Sequence, residues 1–203
     1  MNCILLVRHG ETERNLQRRF QGRFDSPLTK RGIAQADAIG RLVDSLPDAG
    51  FVRLVASPLG RARRTAEIIA RRLDAGQEPV VDERLREISV GSWDGLTYRD
   101  IERHSPGIFD GDGRHGWYFH APDGDSYEAL AARIAEWLAE AAETRLLVAV
   151  THGIVSRVAR GLYARLPRAT ALTLPVPQDK IFRLAGGAIQ EIAVPAHSAD
   201  GRG

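Results

Sequence analysis

The sequence predicts an α/β fold: a three-layer α/β/α sandwich around a mainly parallel central sheet, with a hairpin at its C-terminal edge. Short apolar runs alternate with longer amphipathic segments, which is the pattern of a parallel sheet covered by helices on both faces. The last two apolar runs flank a short Gly-rich segment, as in a β-hairpin. With 203 residues, 43% of them hydrophobic, the chain has the size and apolar content of one domain.

The predicted strands are short apolar runs, as expected for strands buried on both faces. They comprise residues 3–7, 52–56, 79–82, 146–151, 181–184 and 189–194. Helices are predicted where apolar residues recur every three or four positions, and they begin after Thr29, at Arg61, after Ser126 and at Ile154. The apolar face of the first helix is expected to consist of Ile33, Ala36, Ile39, Leu42, Val43 and Leu46.

Residues 83–125 interrupt this alternation. They are rich in Gly, Asp and aromatic side chains, and connections of this length are often lids or binding loops. We therefore expect a single domain over residues 1–203 with a lid or insertion at 83–125 on the substrate side; a disordered insertion is the alternative. The tail at 195–203 has no apolar anchor and is expected to be flexible.

The charge balance argues against a nucleic-acid binder. The net charge is only +2, and the 28 basic residues are interleaved with 26 acidic ones. No segment approaches the ~18 apolar residues of a membrane helix, and the chain does not start like a signal peptide. Cys3 is the only cysteine, so no internal disulfide or thiolate cluster is expected. We expect a cytoplasmic protein without nucleic-acid or membrane partners; the sequence leaves a homodimer open.

Reactive side chains follow three of the predicted strands. The first strand leads into Arg8-His9-Gly10, the second into the segment 57–61 with Arg61, and the strand 146–151 into His152-Gly153. In an open parallel sheet, ligands bind beyond the carboxyl ends of the strands, where helix N-termini also point. We therefore expect the two histidines and two arginines to meet at one edge of the sheet.

Two histidines and two arginines would form a strongly cationic pocket. Its natural ligand is a dianion such as a small phosphate monoester, and a divalent metal would be repelled, so neither metal nor cofactor is expected. Arg8 and Arg61 can hold phosphoryl oxygens, with Asn15 and the amides near Gly10 as neutral donors. Nearby arginines disfavour the imidazolium form, which leaves one histidine free to attack phosphorus.

A leaving oxygen also needs a proton. Glu87 lies in the irregular segment and is the candidate general acid, which would afterwards activate water. The spacing alone does not choose Glu87 over Glu83 or Asp82. The remaining histidines have no partner pattern and are expected on the surface: His104, His115, His120 and His197.

These motifs resemble a known family. Residues 6–15 are similar to the signature of the histidine phosphatase superfamily, phosphoglycerate mutase-like branch. Further segments that resemble the family follow in its order, at 57–66, at Glu87 with 91–95, at 122–126 and at 150–153. Together these motifs are far more specific than the Arg-His-Gly triplet alone.

The resemblance implies the phosphoglycerate mutase-like fold and a set of residue roles. It implies that His9 is the phosphorylated nucleophile and that Glu87 is the proton donor. The phosphate pocket would be formed by Arg8, Arg61 and His152, with Asn15, Gln21 and Gly22 as nearby phosphate or substrate contacts.

We therefore expect a phosphatase that hydrolyses small phosphate monoesters through a phosphohistidine at His9. The chain lacks the extended insertion typical of cofactor-dependent phosphoglycerate mutases, so hydrolysis is favoured over mutase-type phosphoryl transfer. A catalytically silent phosphate-ester binding protein is a third hypothesis, disfavoured because all the chemically required residues are present. The substrate depends on the segments 20–24 and 117–120; family relatives accept sugar phosphates, α-ribazole phosphate, phosphoglycerates and generic monoesters.

Overall fold

The computed structural model describes residues 2–73, 78–110 and 115–195. Its central feature is a six-stranded sheet with the order β3-β2-β4-β1-β5-β6. The strands are β1 (Cys3–Arg8), β2 (Val52–Ala56), β3 (Val80–Val81), β4 (Leu146–Thr151), β5 (Lys180–Ala185) and β6 (Ala188–Ala193). Strands β1 to β4 pair in parallel, whereas β5 and β6 run antiparallel at one edge. The predicted mainly parallel sheet is confirmed.

Helices connect the parallel strands and cover both faces of the sheet. They are α1 (Glu13–Leu16), α2 (Lys30–Asp44), α3 (Gly60–Ala70), α4 (Tyr98–His104), α5 (Tyr127–Ala141), α6 (Gly153–Tyr163) and α7 (Arg168–Thr173). Thr29 caps α2, as predicted, and Ser126, where the next helix was predicted to begin, caps α5; each hydroxyl accepts a hydrogen bond from a first-turn amide. The sequence pattern did not predict α1, α4 and α7, which have only 4, 7 and 6 residues.

The side chains of β1 show why three layers form. Cys3, Leu5 and Val7 pack in one buried cluster with α2 and α3, whereas Ile4 and Leu6 pack in another with α5 and α6. Successive side chains of a strand point to opposite faces, so both faces of β1 are covered. Burial of each Leu or Ile contributes roughly 1.5–3 kcal/mol relative to its exposure.

Two local predictions were wrong. The strand predicted over residues 79–82 is reduced to Val80–Val81, whose side chains are 49% and 47% exposed, because β3 lies at the sheet edge and pairs only with β2. Ile33 is 44% exposed and does not belong to the apolar face of α2. The first turn of α2 packs through Gly32 against the backbone of Glu11, which leaves Ile33 facing solvent.

Residues 83–110 and 115–125 contribute to the core that covers one face of the sheet. Their buried side chains pack in the same cluster as α5 and α6, and they include Leu85, Ile88, Val90, Trp93, Ile101, Trp117, Tyr118 and Ala121. This part of the irregular segment is therefore integrated into the domain. Residues 111–114 of the segment, residues 196–203 of the predicted flexible tail and His197 lie outside the described residues.

The C-terminal hairpin was predicted correctly. Strands β5 and β6 pair antiparallel from Lys180↔Ala193 to Ala185↔Ala188. The turn between them needs positive φ at both central positions, and Gly186 and Gly187 have φ values of 57° and 79°. Within the described residues, none of the helices has the length and hydropathy that crossing a membrane requires.

Candidate active site

Three adjacent strands end at one edge of the sheet, and each is followed by a polar residue. Ser57 follows β2, His152 follows β4 and His9 follows β1, in the spatial order β2-β4-β1. The amide of His9 donates to the carbonyl of Thr151 at 2.9 Å, and the amide of Ser57 donates to the carbonyl of Val150 at 2.9 Å. The sheet register therefore places His152 between Ser57 and His9.

His9 is held as a neutral imidazole with a defined orientation. Its ring is buried, and Nδ1 lies 2.8 Å from the carbonyl oxygen of Gly10. Because a carbonyl only accepts, Nδ1 carries the proton and Nε2 keeps its lone pair. The Gly10 amide is itself held by the hydroxyl of Thr65 at 3.1 Å. Burial, and then the positive charges of Arg61 and Arg8, lower the pKa of His9 well below its ordinary value of 6.5.

The two predicted phosphate-binding arginines are anchored by backbone carbonyls. Arg61, 2% exposed, donates to the carbonyls of Phe24 and Gly22, each at 2.8 Å. Arg8 donates to the carbonyl of Val176 at 2.5 Å. Burial lowers the pKa of Arg8 to about 10, so the guanidinium stays charged at neutral pH. Within the described residues, the buried Nε of each arginine has no partner, so both retain a donor that an anion can satisfy.

Glu87 is buried and lines the same cavity as His9, Arg8 and Arg61. Its Oε1 accepts from the amide of Ile88 at 3.1 Å and its Oε2 from the amide of Ile154 at 3.2 Å. Burial raises the pKa of Glu87 above its ordinary value of 4.5, although these amides and the charge of Arg61 oppose the shift. Such a carboxyl retains its proton at higher pH than an exposed one, as a general acid requires.

The two alternative acids lie elsewhere. Glu83 is exposed and forms an ion pair with Arg86 at 3.0 Å. Asp82 accepts from the backbone amide of Arg84 and pairs with its guanidinium at 2.7 Å. Neither lines the cavity that contains His9, so of these three acids Glu87 alone lies on it, a distinction that the spacing in the sequence did not make.

One cavity of about 440 Å³ brings together seven of the eight predicted site residues. They are Arg8, His9, Asn15, Gln21, Gly22, Arg61 and Glu87. His152 is not among the residues that line this cavity; it is fully buried, with its ring centroid 5.2 Å from that of His9. The volume far exceeds that of a phosphoryl group, so the cavity can also hold the rest of a small ester.

Of the two ring nitrogens of His152, only Nε2 has a hydrogen-bond partner among the described residues. Nε2 lies 2.7 Å from the hydroxyl oxygen of Ser57. Nδ1 is buried and has no partner among the described residues. Burial, followed by the charges of Arg61, His9 and Arg8, lowers the pKa of His152 well below 6.5.

Sequence reasoning missed several residues of the cavity wall. They include Tyr98 and the arginines Arg18, Arg19 and Arg157, whereas Phe20 and Tyr118 belong to the segments 20–24 and 117–120 on which the substrate was expected to depend. Arg157 had a usable signal, because it lies four residues after Gly153 and therefore on the same face of α6. His115 is exposed, as predicted, but it also lines the cavity; His104 and His120 are exposed and do not.

The comparison with protein families identifies the chain's family. Residues 4–187 match the histidine phosphatase superfamily, branch 1, and the chain belongs to this family. Its curated relatives include a protein named probable phosphoglycerate mutase GpmB from Salmonella arizonae. The two sequences are 36% identical over 199 residues, which cover 93% of this chain and 83% of the relative.

Solved structures share the whole fold. The mycobacterial glucosyl-3-phosphoglycerate phosphatase in complex with VO3 superposes with a TM-score of 0.76 at 29% sequence identity, covering 95% of this chain and 97% of that one. The α-ribazole phosphatase from Shigella flexneri has a TM-score of 0.76 at 23% identity, covering 99% of both chains, and at this identity it shows the fold alone.

Proposed function

We propose that the protein is a phosphatase that hydrolyses small phosphate monoesters, with His9 as the transient carrier of the phosphoryl group. The observation that carries this proposal is the 2.8 Å hydrogen bond from Nδ1 of His9 to the carbonyl of Gly10. It leaves Nε2 as a nucleophile in a cavity that Arg8 and Arg61 also line.

The charges of the cavity suit a phosphate ester. Phosphoryl transfer mainly needs in-line positioning and stabilisation of the negative charge on the equatorial oxygens. Arg8 and Arg61 approach from β1 and α3, and both are buried at their guanidinium Nε atoms. A guanidinium removed from water binds a phosphate more strongly than an exposed one.

Glu87 completes the reaction. Nε2 of His9 attacks phosphorus, the ester P–O bond breaks, and the leaving oxygen takes the proton of Glu87. Water then attacks the phosphohistidine, the Glu87 carboxylate accepts a proton from that water, and the P–N bond breaks. Phosphate is released, and His9 and Glu87 return to their starting protonation states.

Access to water favours hydrolysis over mutase chemistry. A mutase has to keep water away from the phosphorylated histidine. Here four of the described residues that line the cavity are exposed to solvent, namely Arg18, Arg19, Tyr98 and His115.

Phosphoglycerate mutase-type transfer is the second candidate, because relatives 35–38% identical to this chain carry the name probable phosphoglycerate mutase. The chain spans 83% of those relatives. The lack of a long insertion therefore does not separate the two activities, and a direct measurement is needed.

The test is a rapid-quench experiment with p-nitrophenyl phosphate and 3-phosphoglycerate. We expect an acid-labile, alkali-stable phosphoryl label on the wild-type protein and release of inorganic phosphate. His9→Ala should lose both the label and turnover, whereas His115→Ala, which removes an exposed histidine of the same cavity, should keep the label.

Turnover by His9→Ala at the wild-type rate would refute the mechanism. Interconversion of 3- and 2-phosphoglycerate that outpaces phosphate release would favour the mutase. Neither label nor turnover with any ester of a broad panel would indicate a binding protein.

A further inference from the structure

We propose that Ser57 is a positioning residue that keeps the proton of His152 on Nδ1, so that this nitrogen can donate to an oxygen of a phosphoryl group carried by the neighbouring His9. The effect of this tautomer on catalysis rests on the proposed function. The arrangement of protons itself follows from the hydrogen bonds around Ser57.

The hydroxyl of Ser57 has two partners among the described residues. The backbone amide of Leu59 donates to its oxygen at 3.3 Å, and Nε2 of His152 lies at 2.7 Å. An amide can only donate, so the hydroxyl proton has a single acceptor in its surroundings, the lone pair of Nε2.

The opposite arrangement would leave a buried proton without a partner. If Nε2–H donated to Ser57, the hydroxyl would accept two hydrogen bonds and its own proton would point at no acceptor within the described part of the chain. Both side chains are fully buried, at 0% exposure, and an unsatisfied buried donor costs about 1–3 kcal/mol. Ser57 is therefore the donor and Nε2 the acceptor.

The position of this proton decides how His152 meets a phosphate. The burial of His152 keeps its imidazole neutral, with one proton to place. With Nε2 as acceptor, the proton lies on Nδ1, the nitrogen that has no partner in the described structure. An Nδ1–H group attracts a phosphoryl oxygen, whereas an Nδ1 lone pair would repel it. The His152 ring lies 5.2 Å from that of His9, centroid to centroid, so His152 is a direct neighbour of the proposed nucleophile.

Strand order produces the arrangement. Ser57 and His152 directly follow β2 and β4, which pair in parallel with Ala56 opposite Val150. The residues that follow two paired strands emerge side by side at the sheet edge. A hydroxyl after β2 can therefore set the tautomer of a histidine after β4, although 95 residues separate them in sequence.

The test is a long-range ¹H–¹⁵N spectrum of the ¹⁵N-histidine-labelled full-length protein without substrate, with His152→Gln to assign the signals. We expect the wild-type His152 to show a pyrrole-type Nδ1 and a pyridine-type Nε2. In Ser57→Ala the signals should shift toward the other tautomer, and Ser57→Thr, which keeps the hydroxyl, should restore the wild-type pattern. The matched control is Ser156→Ala, which removes another buried serine hydroxyl one turn further along α6; its spectrum should match the wild type.

Turnover provides the second readout. Losing one preorganised donor outright costs about 10²–10³ in kcat, so a mixed tautomer population in Ser57→Ala should lower kcat by roughly 10- to 100-fold. Ser156→Ala should retain the wild-type kcat.

A pyrrole-type Nε2 in the wild-type protein would overturn the inference, and this result does not depend on whether any variant folds. An unchanged tautomer in folded Ser57→Ala would also overturn it. Because the spectra need no substrate, such a result would leave the proposed phosphatase activity standing. The phosphatase activity itself is tested separately, by the labelling experiment with His9→Ala.

Discussion

The backbones of Gly10 and Gly32 approach so closely that a β-carbon on Gly10 would lie 2.4 Å from the carbonyl oxygen of Gly32. A β-carbon on Gly32 would lie 2.1 Å from the carbonyl oxygen of Glu11. The turn after His9 is therefore packed directly against the first turn of α2. This contact sets the position of the Gly10 carbonyl, to which the His9 ring donates.

Gly32→Ala is expected to reduce both stability and activity. The backbone has to move to accommodate the new methyl group, at a cost of about 1–3 kcal/mol, and the movement displaces the acceptor of the His9 hydrogen bond. Urea unfolding and kcat/KM measure the two effects. Gly50→Ala is the matched control, because a β-carbon there meets nothing within 4 Å. If both variants behaved alike, the proposed coupling between α2 and His9 would be wrong.

Glu87→Gln is expected to slow alkyl phosphates far more than aryl phosphates. A poor leaving group needs the proton of Glu87, and loss of a general acid typically costs about 10²–10⁴ in rate, whereas an aryl oxide leaves without that help. The rates of the two ester types, compared within one variant, give the measurement. Glu83→Gln, in the same segment but exposed, should leave both rates unchanged. An equal loss for both types in Glu87→Gln would exclude Glu87 as the acid.

Gln178→Leu is expected to weaken substrate turnover by misplacing two site residues at once. Nε2 of Gln178 donates to the carbonyl of His9 at 3.0 Å and to Oδ1 of Asn15 at 3.3 Å. Loss of these bonds, at about 1.4 kcal/mol, corresponds to roughly a tenfold fall in kcat/KM. Gln190→Leu, on the exposed face of β6, serves as the control. Equal kcat/KM values for the two variants would contradict a positioning role for Gln178.

The pH dependence of stability is expected to reflect the buried histidines. The pKa values of His9 and His152 lie well below 6.5 in the folded protein, so below that pH the unfolded chain binds protons that the folded chain does not. The free energy of unfolding should therefore decrease as the pH is lowered below 6.5, by at most about 1.4 kcal/mol per pH unit for each histidine. The raised pKa of Glu87 acts in the opposite direction.

His152→Gln removes one of these two protonation sites. Its thermal midpoint should fall less steeply between about pH 7 and pH 5 than that of the wild type. The exposed His104 provides the control, and His104→Gln should keep the wild-type slope. A wild-type slope in His152→Gln would show that its imidazole is protonated as readily in the folded as in the unfolded protein.

The elements that could be predicted are those whose signal is local. The apolar side chains of β1, β2 and β4 are buried, and Thr29 and Ser126 mark helix starts. The failures occurred where burial depends on distant neighbours. Val80 and Val81 are apolar but lie on an edge strand. Ile33 lies in the first turn of α2, where Gly32 and not Ile33 packs against the neighbouring backbone.

The sequence by itself determined that His9 and His152 lie together, because each follows a parallel strand and such strands end at the same edge of a sheet. Only the tertiary structure showed that Glu87, and neither Glu83 nor Asp82, lines the cavity with His9. It also placed the hydroxyl of Ser57 on Nε2 of His152 and brought Gln178 to His9 across 169 positions of the chain. The reason is physical: periodicity encodes which side of its own element a residue occupies, whereas a hydrogen bond between distant segments depends on how all the elements pack.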